Sequence, residues 1–231
     1  MMAAAHSTGT IIVQVLMVTS FVVAAIVAAI NRGRAERRRS FDLQLLTTQL
    51  GFDDFNPARD EGFAMGWGFL NRLARGEDRY AFNLLRGIYH EQRLFVFDYH
   101  YQTGSGKNRQ EHYSTMLMLV CKEVFPQVTI KPDNLLSRLA AAFDGEDIKF
   151  ESAEFSRTFR VRSHDKRFAY DVCNPQMMEY LLANRDLEVE IQGPAILLAF
   201  EPQLPVGQIE SNLQRLIEIR SRLPEYLFTN I

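Results

Sequence analysis

The spacing of hydrophobic positions changes character along this chain. Ile11 to Ile30, IIVQVLMVTSFVVAAIVAAI, carries no charge, and its clearly polar residues are Gln14, Thr19 and Ser20. Twenty residues at the helical rise cover about 30 Å, the thickness of a bilayer core. A helix of that length in a soluble core shows a polar face, and this one has none. The pattern predicts a transmembrane helix over residues 11–30. A cleaved signal peptide would need basic residues ahead of the apolar run. Met1 to Thr10 has no Lys or Arg, whereas Arg32, Arg34, Arg37, Arg38 and Arg39 follow the run. Positive residues stay on the cytoplasmic side, so residues 1–10 are expected outside and residues 31–231 in the cytoplasm. The arginines would lie against anionic headgroups at about 1 kcal/mol each. Within the span Ser20, Ala24 and Ala28 recur every four residues, a spacing that would let two such helices approach closely. Alanine is also common in membrane helices for other reasons.

Leu43, Leu46 and Leu50 keep the helical period, and Gly51 offers a stop. Residues 31–57 therefore read as a basic juxtamembrane helix and linker, ahead of a cytoplasmic domain at 58–231. Residues 58–75, with three glycines among apolar positions, are ambiguous. From Tyr80 the period becomes two. YAFNLLRGIY and RLFVFDYHY flank a turn at His90-Glu91-Gln92, and Phe95, Phe97, Tyr99 and Tyr101 share one face. EHYSTMLMLVC gives a third strand and Gln127–Ile130 a short fourth. Pro132-Asp133 starts a helix through Ala142, with Leu135, Leu136 and Leu139 inward. DIKF and EFSRTFRVRS read as strands, and residues 165–172 as a short helix. Asn174-Pro175 caps another helix carrying Met177, Met178, Leu181 and Leu182. DLEVEI and AILLAF form a hairpin about Gly193-Pro194. Ile209, Leu213, Leu216 and Ile217 mark a C-terminal amphipathic helix that Pro224 ends. Short turns between neighbouring strands imply a mainly antiparallel sheet. The fold class is α+β, with a partly open, pleckstrin-like barrel as an analogy.

Charge narrows the partners. Residues 1–40 carry five Arg and one Glu, and the remainder 21 Lys+Arg against 27 Asp+Glu. An acidic globular part lacks the basic footprint of a nucleic-acid binder. Cys121 and Cys173 form no Cys-x-x-Cys pair and read as two buried free thiols, with a disulfide between them as the alternative.

The segments NLLRG, FVFDYHYQTG, EHYSTMLML, FESAEFSRTFRVRSHDKRFAYDV and NPQMMEYLL resemble a group of uncharacterised bacterial proteins with a hydrophobic N-terminal segment. The likeness covers roughly residues 80–200, and its motifs are structural. It implies a bacterial membrane-linked protein, and it carries no catalytic residue across.

Candidate chemistry is sparse. Gly104-Ser105-Gly106-Lys107 suggests a phosphate loop, but Tyr101 stands where the first glycine belongs, Asn108 follows the lysine, and a strand pattern comes next. It reads as a hairpin tip. Folding about Ser105-Gly106 pairs Tyr99 with His112, and a one-residue slip pairs Tyr99 with Tyr113. Asp98, His100 and His112 could then converge as a metal or acid–base site, although Asp98 and His100 share a face that the register need not give His112. Arg160 and Arg162 alternate on one face, with Lys166 and Arg167 beyond. They could meet an anionic ligand, or pair with Glu151 and Glu154. Arg157 falls on the opposite face, beside Phe155 and Phe159, and would need a partner if buried. No cofactor or metal motif is present. The expected role is a non-catalytic module for a protein or lipid partner. The alternative is a membrane-proximal enzyme or metal protein using Asp98, His100 and His112.

Overall fold

A computed structural model describes residues 2–133 and 146–228. The chain divides into two units, Met1–Leu43 and Gln44–Ile231. Helix α1 runs from Met2 to Leu50. It ends where Gly51 takes a φ of 67°, with Gly51 N–H donating to the Thr48 carbonyl at 3.2 Å and Phe52 N–H to the Thr47 carbonyl at 3.0 Å. That paired closure, with a left-handed glycine, is how the sequence stops the helix. Among the described residues no helix is long and apolar enough to cross a membrane. The side chains of residues 1–16 and 18, which include the first part of the uncharged run, lie outside that set.

The second unit is built on a seven-stranded antiparallel sheet. Its elements are β1 (Asp54–Asn56), α2 (Glu61–Gly66), β2 (Glu77–Tyr89), β3 (Gln92–Thr103), β4 (Gln110–Pro132), β5 (Glu146–Ile148), α3 (Ala153–Thr158), β6 (Phe159–Ser163), α4 (Lys166–Val172), α5 (Pro175–Ala183), β7 (Val189–Phe200) and α6 (Ile209–Arg222). The strand order is β1-β2-β3-β4-β6-β5, with β7 also on β4. The path ends at β1 and β5, so the sheet stays open and the barrel analogy fails. The end of the expected linker, Asp54–Asn56, supplies edge strand β1.

β4 is the axis. Its 23 residues join what the sequence suggested were two strands. Thr115 lies between Asp98 of β3 and Phe200 of β7, and Val128 lies between Ser163 of β6 and Ile191 of β7. Thus β3 and then β6 occupy one edge, and β7 the other. β7 is a single strand, which corrects the hairpin predicted at Gly193-Pro194. Gly193 takes a φ of 56° opposite Phe125, within an irregularity that spans Val120 to Val128 of β4. The glycine absorbs a bulge rather than reversing the chain. EFSRT is likewise helix α3, not strand. Ser152 caps it, its hydroxyl accepting from Phe155 N–H at 3.2 Å. The helix expected from Pro132 to Ala142 lies outside the described residues beyond Asp133.

Both faces of the sheet are buried. One carries Phe95, Phe97, Tyr99 and Tyr101 with Met116, Met118 and Leu197, under Ala64, Leu70 and Leu73. The other buries Leu94, Val96, Leu117, Leu119, Ile196 and Leu198, and α6 packs on β4 and β7. Each such side chain contributes about 1.5–3 kcal/mol of burial. Cys121 and Cys173 are free thiols, and burial pushes that of Cys121 up to about 11.

The two hairpins set the register. His90 and Glu91 take φ values of 47° and 63° between paired Tyr89 and Gln92, a two-residue turn with both central residues left-handed. The second hairpin closes with Thr103 opposite Gln110. Gly104, at φ 75°, could not carry a Cβ, which would meet the Asn108 carbonyl oxygen at 2.3 Å. Strands on both sides confirm a hairpin tip. Its register lies two steps beyond the first prediction and one beyond the second. Tyr99 faces Ser114, His100 faces Tyr113, and Tyr101 faces His112.

Candidate functional site

That register separates the predicted triad. Residues directly across an antiparallel pair share a face. His100 therefore lies with Asp98 and Tyr113, while His112 lies with Tyr101 on the opposite face. Among the described residues no cluster of His, Cys, Asp and Glu could hold a metal. Two polar networks take the place of one site.

The first surrounds His100, which is 2% exposed. Its Nδ1 faces the Asp78 carbonyl oxygen at 3.0 Å, and its Nε2 faces the Glu111 carboxylate. Tyr80 stacks on the ring at 4.4 Å. The Gln102 amide donates to Asp78 Oδ2 at 3.0 Å and to Glu111 Oε1 at 2.9 Å. Arg59 donates to Asp78 at 2.6 Å, and its guanidinium carbon lies 4.0 Å from the centre of the Tyr80 ring. Asp98 sits deeper on this face at 1% exposure. It accepts from Asn83 Nδ2 at 2.9 Å and from the Thr115 hydroxyl at 3.0 Å, and Thr115 in turn accepts from Leu204 N–H at 3.1 Å. Asp98 pins the β2 bulge at Asn83 to the segment after β7.

The second network lies on the other face. Arg72, 7% exposed, donates to Glu201 at 3.1 Å and lies 3.7 Å from Glu188. Lys131 Nζ pairs with Glu188 at 2.7 Å. Glu190, 5% exposed, accepts backbone N–H groups from Asn71 at 2.6 Å and from Arg72 at 3.0 Å. Glu201 also meets the Tyr101 hydroxyl at 3.3 Å and His112 Nδ1 at 3.0 Å. His112 Nε2 lies 2.7 Å from the Thr103 hydroxyl, and Tyr101 stacks on the imidazole at 4.5 Å. Hydroxyl, imidazole and carboxylate stand in the order of a nucleophile, its base and its orienting acid. Here Tyr101 covers one face of the imidazole, and the acid is shared with Arg72. The set acts as a relay that ties the hairpin tip to the end of β7.

Electrostatics follow from these contacts. Burial alone would raise Glu188, but the charges of Arg72 and Lys131 outweigh it and hold the carboxyl below its ordinary value. Burial pushes Lys131 down, against the pull of Glu188. Burial raises Glu190, partly offset by its two backbone donors. The hydrogen bond from His100 depresses Glu111, and that from Arg59 depresses Asp78. A depressed carboxyl adds stability that is complete above its ordinary pKa and disappears as pH falls through the folded value. Urea-unfolding midpoints should therefore drop as pH falls below about 4.5. Glu111→Gln should make that drop shallower, and an unchanged pH profile would show the His100 contact adds nothing.

Other predicted positions are dispersed. Arg160 pairs with Asp133 at 3.0 Å and Arg162 with Asp147 at 2.6 Å, while Glu154 pairs instead with Arg185. Lys166 and Arg167 are exposed at the start of α4, and Arg157 is exposed on α3, so it needs no buried partner. Arg32, Arg34, Arg37 and Arg38 are exposed on α1 and Arg39 is half-buried. Ser20, Ala24 and Ala28 are exposed, with the Ser20 hydroxyl turned onto the Met17 carbonyl at 2.8 Å. The sequence reading missed Arg72, Glu188, Glu190 and Glu201. Glu190 on β7 and Glu188 just before it alternate with Leu187, Val189 and Ile191, so the local pattern places both acids on a polar face and gives no sign of buried partners.

No family model and no curated protein matches the chain. Among solved structures it is similar to the mycobacterial trehalose monomycolate transport factor A, TtfA, with a TM-score of 0.61 and 15% identity. The match covers 86% of this chain and 98% of that one. At that identity the likeness shows the fold.

Proposed function

We propose that this chain is a membrane-tethered, non-catalytic interaction module of a bacterial cell. Residues 11–30 would sit in the inner membrane with the N-terminus outside, and the second unit would act at the cytoplasmic face on a protein or anionic-lipid partner. The observation that carries the reading is the surface of α1. Met17, Phe21, Val22, Val23, Ile26, Val27 and Ile30 are each about half exposed or more. No charge appears among residues 11–31, and the arginine cluster begins at Arg32. A helix apolar on all sides needs an apolar surround. The fold likeness to a mycobacterial transport factor supports an accessory rather than a catalytic role. A tether would also raise the local concentration of the domain, so weak contacts would suffice.

The test is membrane fractionation of the full chain made in a bacterial host. It should stay with the membrane pellet through alkaline carbonate. Val23→Arg with Ile26→Arg should release it, since each centred arginine costs about 2.5–3.5 kcal/mol on the insertion scale. A wild-type chain found in the carbonate supernatant would overturn the tether.

A further inference from the structure

The segment Met65–Phe69 rises from the aromatic face of the sheet and leaves apolar surface uncovered. Met65 is 68% exposed and Phe69 41% exposed. Trp67 lies between them, 5.7 Å from the Phe69 ring and 6.2 Å from Phe95. The base beneath is firm. Phe63 packs edge-on against Phe95 at 5.4 Å and Phe97 at 5.1 Å. Phe69 leans on Gly193, where a Cβ would stand 3.0 Å from its ring.

Cations accompany this apolar tip. The Arg93 guanidinium lies 5.6 Å from the centre of the Phe95 ring, and that of Arg86 lies 5.9 Å from Phe63. Arg86 is shared with Asp54 and Asp60 at 3.7 and 3.9 Å. Arg93 is exposed and makes no ion pair among the described residues. Tryptophan, phenylalanine and methionine beside an unneutralised guanidinium are the chemistry of the water–lipid boundary, where aromatic rings sit at headgroup level and arginines meet anionic phosphate.

We propose that Met65, Trp67 and Phe69 insert into the headgroup region of an anionic bilayer, with Arg93 on a lipid phosphate. This gives the second unit its own lipid contact, and it rests on the tether proposed above, which brings that surface within reach.

Trp67 is the single tryptophan of the chain, so its emission reports the contact directly. The full chain is reconstituted into vesicles of phosphatidylglycerol and phosphatidylcholine with brominated acyl chains. Trp67 emission should be quenched at least about two-fold relative to unbrominated vesicles and shielded from aqueous acrylamide. Arg93→Glu should weaken the inserted state by about five-fold or more, the worth of one cation at an anionic surface. Arg93→Lys should keep the charge and the quenching. Met65→Asp, on an exposed side chain, should also lose it. A chain that floats with the vesicles while Trp67 stays open to acrylamide would overturn the lipid contact and leave the tether standing. A chain that does not float would overturn both. Shielding that grows with protein concentration and needs no lipid would assign the patch to a second copy and overturn the proposal.

Discussion

Glu190→Ala should lower the unfolding free energy by about 3–5 kcal/mol, measured by urea titration of the full chain in detergent with Trp67 fluorescence as the probe. The reason is local. Asn71 and Arg72 present their backbone N–H groups to the two oxygens of one carboxylate at 2.6 and 3.0 Å. The segment there is neither helix nor strand, so it has no ladder to satisfy those donors. Removing the carboxylate leaves two buried donors unpaired, at about 1–3 kcal/mol each. It also takes one acid from a network that holds Lys131 and Arg72. Glu190→Gln keeps one acceptor oxygen and should cost less than half as much. Burial raises this carboxyl, so its contribution is complete below the ordinary value of 4.5 and weakens as pH rises through the folded value. The gap between the Gln variant and the wild type should therefore narrow from pH 4 to pH 8. A loss below about 0.5 kcal/mol for the Ala variant would show that water reaches these amides.

Asp98→Ala should cost about 2–4 kcal/mol. Its carboxylate holds the Asn83 amide and the Thr115 hydroxyl, and Asn83 occupies a bulge at φ 49°. Without the acid, the bulge loses its anchor and two polar groups are stranded at a position 1% exposed. Asp98→Asn should recover part of the loss by keeping one acceptor. Addition of a chelator should leave wild type and variant equally far apart. A wild-type stability that falls to the variant's level on chelation would restore the metal reading of this residue.

The hairpin of β2 and β3 was legible because alternation and turn agreed. Phe95, Phe97, Tyr99 and Tyr101 mark one face, and the polar pair His90-Glu91 tolerates a left-handed turn. The C-terminal helix was legible for the same kind of reason, its buried Ile209, Leu213 and Leu216 recurring with helical spacing. Local signals failed where a distant strand decided. Gly193-Pro194 looks like a reversal, yet both sides of it pair with β4, which bends there too. The Phe155 and Phe159 spacing suits a strand face as well as a helical turn, and it is the Ser152 cap that selects the helix. The hairpin tip could be recognised from its glycines, but not its register, because Gly106 to Asn108 add a helical turn inside the loop. The resulting register puts His112 on the face opposite His100 and dissolves the predicted site. The Arg72 network was hidden because its members are far apart in sequence, and Lys131 meets Glu188 only through strand pairing.

β4 has a further consequence, for the order in which the chain can be finished. Its outer edge pairs with β7 from Thr115 to Ile130, and β7 ends at Phe200. A ribosome adds roughly 5–20 residues per second, so on the order of ten seconds separate the emergence of β4 from that of the strand that completes it. Throughout that interval the longest strand offers an unpaired, apolar edge to any other strand nearby. Helix α1, made before any strand of the sheet, needs no such wait, since its backbone bonds close within itself. Synthesis would then commit α1 before the sheet can close, so the vulnerable state of this protein is a chain whose β4 has emerged and whose β7 has not.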